Sequence, residues 1–181
     1  LVAATRGYDP APNVGFVYTS TDGGRTWTQR TSAAERKWFS VASSDDGTRL
    51  VAGVADAGFL YTSADSGATW NQKGSSLSWT SIASSSTGQY LAATDRAGGT
   101  GYVHTSIDYG DTWTQKTGSG DRNWYGIASS GDGTKLVGAV QAGFPYTSGN
   151  SGDTWTARTD AGAGSWFSVA SSADGTYLVA A

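Results

Sequence analysis

Apolar residues come in short runs along this chain, each closed off by Gly, Ser, Thr or Asp, and no run continues at helical spacing. Without apolar positions recurring every 3.6 residues no helix is predicted, and short runs between turn-forming residues read as strands. Residues 38–43, Trp-Phe-Ser-Val-Ala-Ser, lead into Asp46-Gly47, a dipeptide whose two positions both tolerate positive φ, so a tight hairpin is expected there. Residues 50–53 supply the returning strand. Residues 58–63 follow a Gly-containing loop as a third strand, and the segment around Thr69-Trp70-Asn71-Gln72 reads as a fourth.

The same pattern then returns. Trp38 recurs as Trp79, Trp124 and Trp166, and the Asp46-Gly47 turn recurs as Asp132-Gly133 and Asp174-Gly175, with Thr87-Gly88 as a weaker version. Between the third and fourth strands lies an octapeptide, Ser-x-Asp-x-Gly-x-Thr-Trp, at residues 20–27, 63–70, 106–113 and 148–155, spaced by 43, 43 and 42 residues. A period in that range means supersecondary units stacked on one another. Cut at the Leu that opens each second strand, the repeats are 1–49, 50–90, 91–135 and 136–177, and residues 178–181 copy residues 1–4.

The octapeptide reads mechanically as a hairpin closure. An Asp at its third position can accept backbone N–H groups just ahead of it, and Gly at its fifth supplies the freedom the reversal needs. Its Trp offers on the order of 200 Å² to bury against the next unit, so losing one is expected to cost about 3–5 kcal/mol. The pattern resembles the Asp-box, or BNR repeat, of β-propellers such as sialidases, sortilin-type receptors, some endoglucanases and photosystem II assembly factors. The resemblance covers the whole chain. It implies an all-β β-propeller of four-stranded antiparallel blades, with four repeats per chain. It also implies that the box residues are structural and lie away from the usual active site: Ser20, Asp22, Gly24 and Trp27; Ser63, Asp65, Gly67 and Trp70; Ser106, Asp108, Gly110 and Trp113; Ser148, Asn150, Gly152 and Trp155. Asn150 departs from the pattern, although its amide oxygen can still accept a backbone bond.

Composition narrows the class. The chain has 26 Gly, 8 Trp and 9 Tyr with only 15% charged residues, which suits many short strands and aromatic packing between blades. With no Cys there is no disulfide framework, thiol chemistry or Cys-based metal site. A net charge of −3 without a Lys/Arg cluster argues against nucleic acid or an acidic membrane surface as partner, and no apolar run is long enough for a transmembrane helix. The chain opens at Leu1, in mid-repeat and without a signal-peptide pattern, which reads as a processed, excised or designed segment. No metal or cofactor is expected, and the family habit points to an extracellular or periplasmic location.

If first strands begin at Trp38, Trp79, Trp124 and Trp166, the chain both begins and ends on a second strand. One blade is then expected to be completed from both termini, with residues 166–172 pairing beside residues 1–4 and residues 178–181 competing for that slot. A closed ring of four blades, a homodimer forming one eight-bladed ring, and an excerpt from a longer array all satisfy this pattern. From the second-strand Leu to the third-strand aromatic the intervals are 15, 9, 11 and 8 residues, an alternation of long and short that leans toward pairing of blades.

These loops share a face with the connections between blades, where any ligand is expected. That face gathers Arg6, Tyr8, Asp9, Pro10, Asp95 and Arg96 from the loops, and Glu35, Arg36, Asp121 and Arg122 from the connections. Trp38, Trp79, Trp124 and Trp166 suit either stacking on a sugar or cation or packing between blades, with packing favoured. Glu35 is the only Glu and the eight Arg occupy unlike repeat positions, so the arginine cluster, Tyr–Glu pair and acid/base Asp implied by sialidase resemblance are not assembled. Asp9, Asp95 and Asp121 could supply the paired carboxylates of a glycosidase, about 5–10 Å apart, but in a chain so rich in Asp turns they read as solvated loop carboxylates. His104 takes the place of Tyr18, Tyr61 and Tyr146 and reads as a packing residue, since a lone His makes no metal site. Pro145 removes a strand donor, and with Asn150 it marks the fourth unit as the least stable. The expected function is a non-catalytic binding or scaffold module with a glycan or protein ligand on the loop face. The alternative is a structural or designed building block with no evolved ligand, and a glycosidase-related fragment ranks third.

Overall fold

The computed structural model describes residues 1–6 and 14–181, so Tyr8, Asp9 and Pro10 lie outside the described residues. Within them the chain is all-β and holds no α-helix. The first blade has three strands, β1 (Val2–Ala4), β2 (Val17–Thr19) and β3 (Thr28–Gln29). The second has four: β4 (Trp38–Ser43), β5 (Leu50–Val54), β6 (Gly58–Ser63) and β7 (Asn71–Leu77). The third comprises β8 (Trp79–Ser84), β9 (Leu91–Asp95), β10 (Val103–Ser106) and β11 (Thr114–Lys116). The fourth comprises β12 (Trp124–Ser129), β13 (Leu136–Val140), β14 (Tyr146–Ser148) and β15 (Thr156–Ala157). A fifth sheet has only β16 (Val169–Ser171) and β17 (Leu178–Ala180). Every pairing is antiparallel.

β5, β9 and β13 are buried at every position, because each sits inside its blade with neighbouring blades against both faces. The core is correspondingly divided into layers between blades. Val17, Trp38, Val54 and Tyr61 fill the first; Val51, Leu60, Trp79, Ile82 and Leu91 the second; Ala92, Val103, Trp124, Ile127, Leu136 and Val140 the third. The octapeptide Trp does not bury solely against the next unit. Trp70 packs on Trp38 of its own blade at 6.3 Å between ring centres, and Trp155 on Trp124 at 5.2 Å, while both also reach the preceding blade's layer.

Two further expectations are corrected. The Asp-Gly turns are not two-residue hairpins with both residues left-handed: only the Gly has positive φ, 73° at Gly47 and 78° at Gly133. The loop is longer because Asp46 works through its side chain. Its carboxylate takes the Ser44 hydroxyl at 2.6 Å and the Thr48 amide at 3.0 Å, and Ser44 in turn takes the Arg49 amide at 3.0 Å. The clasp between the termini is also absent. Residues 178–181 fill the slot instead, Val169, Ala170 and Ser171 pairing with Ala180, Val179 and Leu178, and among the described residues no strand pairing joins this sheet to β1. Pro145 acts as expected of proline: β14 starts after it and is three residues long where β6 has six.

Candidate functional site

The two ends of each blade are built differently. At one end, the octapeptide turns close by local bonds. The Ser20 hydroxyl donates to Asp22 at 2.8 Å and accepts the Gly24 amide at 2.8 Å, while Asp22 accepts the Thr26 amide at 3.0 Å and the Thr26 hydroxyl at 2.6 Å. Residues 63–70 and 106–113 repeat these bonds. The threonine hydroxyl is the main reason the Asp22 and Asp65 carboxyls are lowered to about 2, and the same cause lowers Asp108. Asn150 keeps the geometry with one bond reversed: its oxygen accepts Ser148 and the Thr154 amide, and its Nδ2 donates to the Thr154 hydroxyl at 2.9 Å. The Ser-x-Asp-Gly-Thr turns lie at this same end, since Ser66, Tyr109 and Ser151 donate to the carbonyls of Thr48, Gln89 and Thr134. The Ser, Asp or Asn, and Thr side chains of these octapeptides are committed to holding their turns.

The opposite end is irregular. Register shifts place a bulge after each first-strand Trp, at Phe39, Thr80 and Tyr125, which turns those side chains out of the ladder. Phe39 is exposed as a result. Beside it Arg6, just past β1, sets its guanidinium 5.6 Å from the Phe39 ring centre and 3.6 Å from Asp56. Asp56 is held by a left-handed backbone, φ 57°, and also takes the Lys37 ammonium at 3.2 Å. Arg96 comes from the third blade, stacked 4.7 Å over Tyr125 and bonded to its hydroxyl. Together Arg6, Phe39, Asp56, Ser78, Thr80 and Arg96 line a cleft of about 290 Å³ across the second and third blades.

Of the remaining sequence candidates, Trp79 borders the same cleft and the others lie elsewhere. Arg36 stacks 4.5 Å over Tyr61 and Arg122 4.3 Å over Tyr146, so both guanidinium groups cover blade aromatics. Trp38, Trp79 and Trp124 are buried inside their blades and present no open stacking face, whereas Trp166 is half-buried. Asp121 and Glu35 are exposed. Asp95 is buried, with His104 Nε2 at 2.7 Å from its Oδ2, and the His104 ring stands edge-on to Trp79 at 5.1 Å. Carboxylate and imidazole together replace the Val and Tyr of the second and fourth blades, Val54 with Tyr61 and Val140 with Tyr146. Phe39, Asp56, Ser78 and Thr80 were missed. The available signal was the residue after each first-strand Trp, which reads Phe, Thr, Tyr, Phe beside a Trp that never varies between repeats.

The cleft offers two guanidinium groups, an exposed ring, hydroxyls, and a carboxylate already shared between two cations. Such a set suits hydrogen-bond acceptors and flat apolar faces on a ligand. Among the described residues, no group of three or more potential metal ligands occurs.

No family model matches the chain, and no curated protein sequence matches it. Solved structures do. A GH74 enzyme from Niastella koreensis superposes with a TM-score of 0.70 at 18% identity, over 92% of this chain and 34% of that one. A GH74 xyloglucanase from Xanthomonas campestris gives 0.68 at 16% identity, over 99% and 33%. YCF48 bound to D1 peptide gives 0.54 at 16% identity, over 66% and 40%. The chain thus spans about a third of the length of the two GH74 proteins. At these identities the likeness establishes a β-propeller fold made of antiparallel blades.

Proposed function

We propose that this chain is a non-catalytic propeller module that binds carbohydrate or protein through the cleft between its second and third blades, in an extracellular or periplasmic setting. The observation that carries it is the convergence of Arg6, Phe39, Asp56, Thr80 and Arg96 from three blades onto one cleft. The octapeptide turns serve as Asp-boxes, and their side chains are spent on backbone closure. The non-catalytic reading is supported by the cleft's single lining carboxylate, Asp56, which is neutralised by Arg6 and Lys37, whereas glycoside hydrolysis of the usual kind needs two. One fold neighbour is a xyloglucanase and another holds a peptide, so both ligand classes belong in the test.

The experiment is a glycan array that includes xyloglucan oligosaccharides, run beside a panel of soluble peptides and secreted proteins. Binding at micromolar concentration that weakens in Arg6→Ala and Arg96→Ala supports the reading. Silence across both panels favours the building-block alternative, and turnover of β-glucans or fluorogenic sialosides overturns the non-catalytic assignment.

A further inference from the structure

At the octapeptide end, two notches between adjacent blades are built from matching repeat positions and differ in what they leave open. Between the third and fourth blades the notch is lined by Tyr90, Thr105, Ser106, Ile107 and Ser151 and holds about 10 Å³. Between the second and third blades the same positions carry Arg49, Thr62, Ser63, Ala64 and Tyr109, and Asn71, Lys73 and Asp111 complete a cavity of about 310 Å³. That volume lies at the low end of small-molecule pockets, roughly 300–1,000 Å³.

Two of these residues do nothing that the fold requires. The residue between the acid and the glycine of the octapeptide is Gly23, Ser66, Tyr109 and Ser151 in the successive copies, and all have positive φ, 73°, 57°, 63° and 55°. Ser66 and Ser151 donate their amides across the turn as Tyr109 does, so closure needs no aromatic ring. Among the described residues Tyr109 is the only aromatic at positive φ, where a bulky side chain costs conformational energy. Its ring is nonetheless 38% exposed and carries the Arg49 guanidinium 4.3 Å from its centre. Arg49 is fixed from the other side, since its stem packs so closely on Gly88 that an added methyl there would come within 2.6 Å of Arg49 Cβ. Among the described residues the Arg49 guanidinium has no carboxylate partner and no hydrogen-bond acceptor. Lys73, 2.6 Å from Asp111 across the blade junction, keeps further N–H donors for the cavity.

We propose that this cavity binds an acidic saccharide, a sugar ring bearing a carboxylate or a sulfate. The N–H edge of Arg49, held flat by Tyr109, presents a fork that fits two oxygens of one oxyanion, with Lys73 as the second cation. Asn71 and the second oxygen of Asp111 are left for the sugar hydroxyls. A sugar is the occupant because the lining offers hydrogen-bonding groups and one aromatic ring but, the Ala64 methyl apart, no aliphatic surface to seat a peptide side chain. The site shares no residue with the cleft at the opposite end of the blades.

The test is calorimetric titration of the 181-residue chain with trigalacturonate, a sulfated heparin disaccharide, uncharged cellotriose and tetraglutamate. At least one of the two acidic sugars is expected to bind saturably, and which one does so assigns the oxyanion; cellotriose and tetraglutamate should not bind. Affinity should fall with added salt. Arg49→Ala should weaken binding roughly ten- to a hundredfold. Tyr109→Ser, which installs the residue found at Ser66 and Ser151, should weaken it roughly three- to tenfold with no fall in melting temperature. Arg6→Ala and Arg96→Ala should leave this binding unchanged, so the site and the cleft are tested separately. Failure of both acidic sugars to bind, equal binding of cellotriose or tetraglutamate, or full affinity in Arg49→Ala would each overturn the proposal.

Discussion

Trp124 and Trp166 hold the same place in successive repeats, yet Trp124 is fully buried and Trp166 is half-exposed with its indole Nε1 unbonded. The difference lies entirely in the strands downstream of each. Trp124 is succeeded by Tyr146 and Trp155, whose rings close around it; the strand after Trp166 is β17, whose side chains are largely exposed. A first-strand Trp therefore acquires its burial from the later strands of its own blade together with the layer of the preceding blade.

The largest effect expected is on this pair. Trp124→Ala should cost about 3–5 kcal/mol of stability in denaturant titrations, and Trp166→Ala should cost much less; equal losses would mean that burial does not separate the two sites. The octapeptide glycines sharpen the contrast. Gly24 and Gly110 share φ 87°, but a methyl group on Gly110 would press on Thr62 at 2.7 Å, whereas Gly24 has nothing nearer than 3.4 Å. Gly110→Ala should cost about 2–3 kcal/mol and Gly24→Ala about 1 kcal/mol, the backbone share alone. A smaller effect is expected from the partly exposed Lys73–Asp111 pair, where a double-mutant cycle should return about 0.2–1 kcal/mol, falling with salt.

The smallest effect at neutral pH is expected from Asn150→Asp, but it should change the acid limb. Asp22, Asp65, Asp132 and Asp174 have folded values of about 2 against 3.8 unfolded, so their stabilising contribution is complete above 3.8 and is lost as pH falls toward 2. The Asn150 turn lacks that dependence. Restoring Asp there should steepen the loss of stability between about pH 4 and 2, read from melting temperatures across that range.

Much of the blade was readable because its determinants are local. Ser20, Asp22, Gly24, Thr26 and Trp27 are linked by bonds spanning two to four residues, so their spacing in the chain is already their geometry. The Asp46 turn misled for a related reason. Asp-Gly has a backbone preference, but the Ser44 and Thr48 side chains offered its carboxylate better partners than a two-residue hairpin would. Nothing local announced the cleft. Arg6 meets Asp56 and Phe39 only because adjacent blades bring their ends together, and Phe39 points outward only because β4 is bulged.

The sequence by itself determined the strands, the turns, the period and the identity of the packing aromatics, because each depends on hydrogen bonds or side-chain alternation within a few residues. Tertiary structure decided which Trp are enclosed, which arginines stack on blade aromatics and which reach the cleft, and how the two ends stand. Those outcomes depend on contacts between strands of different repeats, within and between blades, which no single repeat contains.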